Sequence, residues 1–194
     1  MKSLTNFIKE SNNSASVIFN DVTAEFIPFS QRGQQKGIVF KLPKDATSDT
    51  IQTYLDQCIV PYLPGGDKNK DTKKFIGLNV DAITDINLTY EDVEKDPNKF
   101  HLQNKQIPAI KFDETFGKDY AQNLEEVMLT GIKFTLSFSQ FTIDNLSEED
   151  TETEEDCKGL LEDQLIDLVD AERTSKFSLR FQEVEYSDFS IEDE

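Results

Sequence analysis

The chain has 194 residues, a formal charge of −18 at pH 7, 37% hydrophobic and 30% charged residues, and two cysteines, Cys58 and Cys157. These figures exclude a disulfide-stapled mini-domain and a thiolate zinc site, and point to a reducing compartment. No window approaches 18 apolar residues and the N-terminal ten lack a signal-peptide core, so no membrane segment is expected and a cytoplasmic location is, the host's if the chain is viral.

A chain of this length buries roughly 70% of its unfolded surface without staples. Fifteen Phe and five Tyr, with no Trp, make aromatic packing the expected basis of the core. The charge is uneven: residues 1–143 hold 19 acids and 16 bases, whereas residues 144–194 hold 19 acids and 4 bases. The acidity therefore belongs mainly to the C-terminal third.

Leu4, Phe7 and Ile8 suit a short helical turn over 4–10, and Asn12-Asn13-Ser14 reads as a loop. Val17 and Phe19 share one parity, and Val22, Ala24 and Phe26 take the other. That shift predicts a bulge near Asn20-Asp21. Ile38, Phe40 and Leu42 alternate after a polar turn with Gly33 and Gly37, so residues 16–42 read as a hairpin. Asp49 and Gln52 resemble a capping box, and Ile51, Tyr54, Leu55, Cys58 and Ile59 fall at helical spacing, which predicts a helix over 49–60 ended by Pro61. Residues 64–74 form a basic loop. Even-parity apolar residues from Ile76 to Tyr90 predict a long strand or strand pair, and residues 91–106 are mostly polar. Ile107–Phe112 is a short strand candidate whose Pro108 favours a sheet edge.

Near the end, Lys133-Phe-Thr-Leu-Ser-Phe138 matches Lys176-Phe-Ser-Leu-Arg-Phe181 class by class. Parity shifts after each, to Phe141 and Ile143 and to Val184 and Tyr186. Residues 132–143 and 175–186 are therefore expected as two bulged strands of one sheet. Between them, residues 147–156 are too charged to pack. Leu161, Leu165, Leu168 and Val169 then line one face of a helix that must be covered.

Chemistry finds little support in the sequence. His101 stands in a polar segment, no phosphate-cradling glycine loop follows a strand, and Asp67, Asp71 and Lys73 read as solvated charges rather than a nuclease cluster. Residues 147–156 lack the pattern of a calcium loop. No enzyme and no metal or other cofactor is expected.

Binding is the remaining class. Lys68, Lys70, Lys73 and Lys74, followed by Phe75, together with Arg32, Lys36 and Lys41, interleave cations with a ring that could track phosphates and stack bases. The layout of a modestly basic front and an acidic end, with a strand Phe177-Ser-Leu-Arg-Phe-Gln-Glu-Val184, resembles phage-type single-stranded DNA-binding proteins. The resemblance implies an OB-like barrel closed by that strand. It also implies an acidic tail over 187–194 that meets protein partners through Glu185, Asp188, Phe189, Glu192, Asp193 and Glu194.

The expected fold class is α+β: a β-rich OB-like barrel, or a strongly bent antiparallel sheet, with two or three helices packed on it. One domain comprises a core over 1–143, an acidic linker and helix over 144–174, a closing strand over 175–186 and the tail. Three functions fit: sequence-independent single-stranded DNA binding, a virion or assembly component that meets other chains or copies of itself, and an acidic DNA mimic that occupies a nucleic-acid-binding protein.

Overall fold

A computed structural model of the chain describes residues 14–30, 33–34, 37–67, 83–95, 124–146, 151, 153–170 and 179–193. The expected turn over 4–10, the strand regions 76–82 and 107–112, residues 175–178 and His101 lie outside them.

Strand β1 (Ala15–Ser30) organises the larger sheet because both of its edges are paired. Along one edge runs β7 (Lys133–Leu146), antiparallel from Ala15↔Leu146 to Phe26↔Phe134. Along the other, β8 (Leu179–Glu185) and β9 (Asp188–Asp193) follow one another, β9 on Ala15–Asn20 and β8 on Thr23–Pro28. Strand β4 (Ile83–Thr89) extends the sheet beyond β7, and β2 (Gly33–Gln34) makes a short hairpin with Phe29 and Ser30. The two matching segments thus flank β1 in one sheet, as their shared pattern predicts for the described residues.

The bulge expected near Asn20-Asp21 and the one expected in β7 after Phe138 are absent, because the two paired strands change parity together. Asp21 adopts φ 49°, which turns the chain so that Val17 and Phe19 point into the core before it and Val22, Ala24 and Phe26 after it. β7 changes parity at the same level, across Ser139 and Gln140, so the β1–β7 register continues unbroken from Asn20↔Gln140 to Val22↔Phe138. β8 changes parity alone. Its register slips between Glu25↔Glu183 and Phe26↔Phe181, leaving Gln182 as the extra residue of a bulge.

A smaller sheet contains β3 (Gly37–Pro43), β6 (Leu124–Thr130) and β5 (Asp92–Glu94), ordered β3-β6-β5. The pairing Thr89↔Lys133 of the first sheet runs on into Asp92↔Thr130 of the second, with Glu91 N–H donating to Thr130 O at 2.8 Å. The strands therefore turn a corner together at Glu91 and Gly131. Gly131 has φ 63°, and a Cβ there would lie 2.5 Å from the Glu91 side chain, so only glycine makes the turn. Among the described residues the antiparallel sheets do not close into a barrel.

Three further expectations need correction. β1 and β3 do not form the hairpin expected over 16–42: β1 already has β7 on one edge and β8 and β9 on the other, and β3 pairs with β6 instead. The helix expected over 49–60 is α1 (Ser48–Tyr54), which widens into a π turn over Leu55–Ile59 and tightens into a 3-10 turn over Val60–Tyr62. Its cap is Thr47, whose hydroxyl accepts from Thr50 N–H, while Gln52 donates to Asp56 and to Leu88 O. Of the tail expected over 187–194, the described residues 187–193 are not free either. Asp188–Asp193 are zipped onto β1, and Phe189 stacks on Phe19 with ring centres 6.0 Å apart.

Helix α2 (Glu154–Asp170) packs against β8. Thr153 and Asp156 cap it reciprocally: the Thr153 hydroxyl accepts from Asp156 N–H at 3.2 Å and Asp156 Oδ2 from Thr153 N–H at 3.1 Å. Leu161, Leu165, Leu168 and Val169 are buried as their spacing predicts, and Cys157 joins them. This helix covers the β8 end of the core, where Phe26 meets Phe134 and Phe181 and Phe19 meets Tyr186 and Phe189. The opposite face of the larger sheet carries the polar parity.

Candidate functional site

Cross-strand partners share a face, so the registers define that second surface. One row across the four strands is Asn87, Thr135, Glu25 and Glu183; the next is Asp85, Ser137, Thr23 and Glu185. Further along, Asn20 lies opposite Asp188, Ile18 between Thr142 and Ser190, and Ser16 opposite Glu192. Apart from Glu25 and Ile18, short hydroxyl and amide side chains occupy the middle strands, and carboxylates stand at the margins on β4, β8 and β9. Most of these groups are exposed or half-buried.

Arg180 stands exposed on this surface opposite Ile27, and Lys133 is the half-buried cation within it. Its Nζ lies 3.2 Å from Glu25 Oε2. The hydrogen bond to Glu25, then the charges of Glu25, Glu183 and Glu91, hold its ammonium above its ordinary range, against a smaller opposing effect of burial. Toward the other end of β1 the carboxylates are held by neutral donors: Ser16 donates to Asp144 at 3.0 Å, Ser187 to Asp21 at 3.0 Å, and the Asn20 amide to Asp188. Elsewhere among the described side chains, Lys95 pairs with Glu125 at 3.5 Å and Lys158 with Glu162 at 3.9 Å.

On the other side of β8, a groove of about 670 Å³ is lined by Glu154, Glu155, Lys158, Gly159, Glu162 and Tyr186. The Tyr186 hydroxyl donates to Glu154 at 3.1 Å. Burial, then that hydrogen bond and the Glu154 charge, raise its phenol above the usual range. Among the described residues, no three of His, Cys, Asp and Glu converge to hold a metal ion. No described helix is long and apolar enough to cross a membrane.

The structure separates the expected site residues. Arg32, Lys36, Lys68, Lys70, Lys73, Lys74, Phe75 and Glu194 lie outside the described residues. Lys41 is on β3, opposite Glu126 in the other sheet. Glu185, Asp188 and Glu192 are exposed on the polar face, and Asp193 stands on β9 opposite Ala15. Phe189, expected among the partner-binding residues, is half-buried between Phe19 and Tyr186 and packs β9 onto the core. Sequence reading did not anticipate Glu25, Asp85 and Glu183, because they lie on three different strands and only pairing gathers them. Charge at alternate strand positions is the one signal that could have singled them out. No model of a known protein family, no curated protein and no solved structure matches this chain.

Proposed function

We propose that the chain is a non-enzymatic binding protein whose carboxylate-lined sheet face holds a basic surface of a partner protein, of the kind that otherwise contacts nucleic-acid phosphates. The observation that carries this reading is the direct opposition of Glu25 and Glu183, beside Asp85 and Glu185 in the next row. Like charges facing each other across a ladder weaken a sheet. Their retention, with Lys133 and Arg180 on the same face, favours a role in which an incoming cationic surface relieves the remaining repulsion.

The test uses a lysine-rich DNA-binding domain held on a fluorescent duplex. The full chain is expected to displace the duplex at low salt, less at moderate salt, and less again with Asp85→Asn, Glu183→Gln and Glu185→Gln combined. Failure to displace it at low salt would overturn the reading.

The continuous bend of the antiparallel strands at Gly131 favours a second reading, an OB-like single-stranded DNA-binding protein. It would rest on Arg32, Lys36, Lys41, Lys68, Lys70, Lys73, Lys74 and Phe75. Direct binding of a labelled single-stranded oligonucleotide in low salt, without added protein, would favour it over the first.

A further inference from the structure

We propose that the outer edge of β9 accepts an extended segment of a partner protein in which Lys or Arg alternates with apolar residues. The inference rests on the acidic-face reading and names the form that the basic partner takes.

Among the described residues, β8 and β9 pair with β1 alone. The N–H and C=O groups on the far edge of β9 therefore meet no described strand, and such an edge is a template for one more. The two faces of β9 specify what that strand would carry. Asp188, Ser190 and Glu192 stand on the polar face, each exposed. Phe189 and Ile191 alternate with them on the core side. Phe189 is held against Phe19, but Ile191 is 44% exposed, one of only two large hydrophobics so exposed among the described residues. An apolar residue of an added strand would cover Ile191, while its alternate cations would reach Asp188 and Glu192.

A second copy of β9 is a poor occupant. It would set Asp188 and Glu192 against carboxylates of its own kind, and directly opposed like charges destabilise a ladder. The same charges that guard this edge against self-association thus select a basic strand.

The test measures fluorescence anisotropy of a labelled peptide of alternating lysine and valine, with blocked ends, against the full chain in low salt. Two further peptides of equal charge are N-methylated at every second residue, one in each phase. Because alternate N–H groups of a strand point to opposite edges, one phase removes the donors facing β9. Binding in that phase is expected to weaken roughly tenfold or more. Ile191→Asp in the chain, its fold checked by circular dichroism, should weaken the unmodified peptide similarly. If that variant does not fold, the three peptides against the unaltered chain decide the matter. Equal affinity for all three peptides would overturn strand addition while leaving the acidic-face reading standing. Absence of binding by every peptide, together with failure to displace the duplex, would overturn both.

Discussion

Glu25 on β1 and Glu183 on β8 are direct cross-strand partners, and Lys133 bonds to the first of them, at 3.2 Å. The two carboxylates thus face each other with the Lys133 ammonium bonded to one of them and within reach of the charge of the other.

Replacing Glu183 by Gln should therefore stabilise the protein, by about 0.2–1 kcal/mol at low ionic strength. Urea unfolding midpoints check this. The gain should shrink near 1 M salt, where screening shortens the reach of charge to about 3 Å. Glu185→Gln, opposite the neutral Thr23, should change the midpoint less.

Leu165 is fully buried under α2. Leu165→Ala should cost about 2–5 kcal/mol, since the cavity it leaves can collapse only partly. Chemical denaturation of the variant measures the loss. An unchanged midpoint would mean that this helix face does not pack within the chain.

Two glycines should respond oppositely to alanine. A Cβ at Gly37 would lie 2.5 Å from Leu129 O and 2.9 Å from Met128 Cγ, so Gly37→Ala must push β3 away from β6, at about 1–3 kcal/mol. A Cβ at Gly159 would meet nothing within 4 Å, and the residue sits inside α2. Gly159→Ala should stabilise by roughly 0.5–1 kcal/mol, because glycine gives up more freedom in a helix. Thermal unfolding of the two variants compares them directly.

Alkaline pH should weaken the fold. Burial, and next the Cys58 charge, hold the Tyr54 phenol far above its ordinary value of 10.0. The folded chain keeps a proton that the unfolded chain releases near that value. Stability is therefore full below about pH 10 and declines above it, by at most about 1.4 kcal/mol per pH unit for this group. Cys157, raised chiefly by burial from 9.0, begins the same decline earlier. Urea midpoints across the alkaline range follow the slope, which Tyr54→Phe should make shallower.

What the sequence made legible was periodicity. Parity changes at Asn20-Asp21 and after Phe138 marked places where strands turn, and four apolar residues marked the inner face of α2. Strand β6 escaped because Val127, Met128 and Leu129 are all buried, so nothing alternates. The pairing of β3 escaped because its partner is remote in the chain and a local turn was a plausible substitute. β9 escaped for a different reason. Asp188, Glu192 and Asp193 look like a solvated tail, and only Phe19 beneath Phe189 shows why that segment is held. The acidic face was hidden likewise, since its carboxylates come from β1, β4 and β8 and no run of acids announces it.

The pairing of β1 with β9 also sets a schedule for biosynthesis. Asp188 follows its partner Asn20 by 168 positions. At roughly 5–20 residues per second on a ribosome, one edge of β1 waits on the order of ten seconds or longer for the strands that will cover it. Pairings so distant in the chain also form slowly once they can form at all. The nascent chain therefore passes through a period with one edge of β1 uncovered. A helper that shields exposed strands should act on it then, and truncation before β8 should leave it needing that shelter indefinitely.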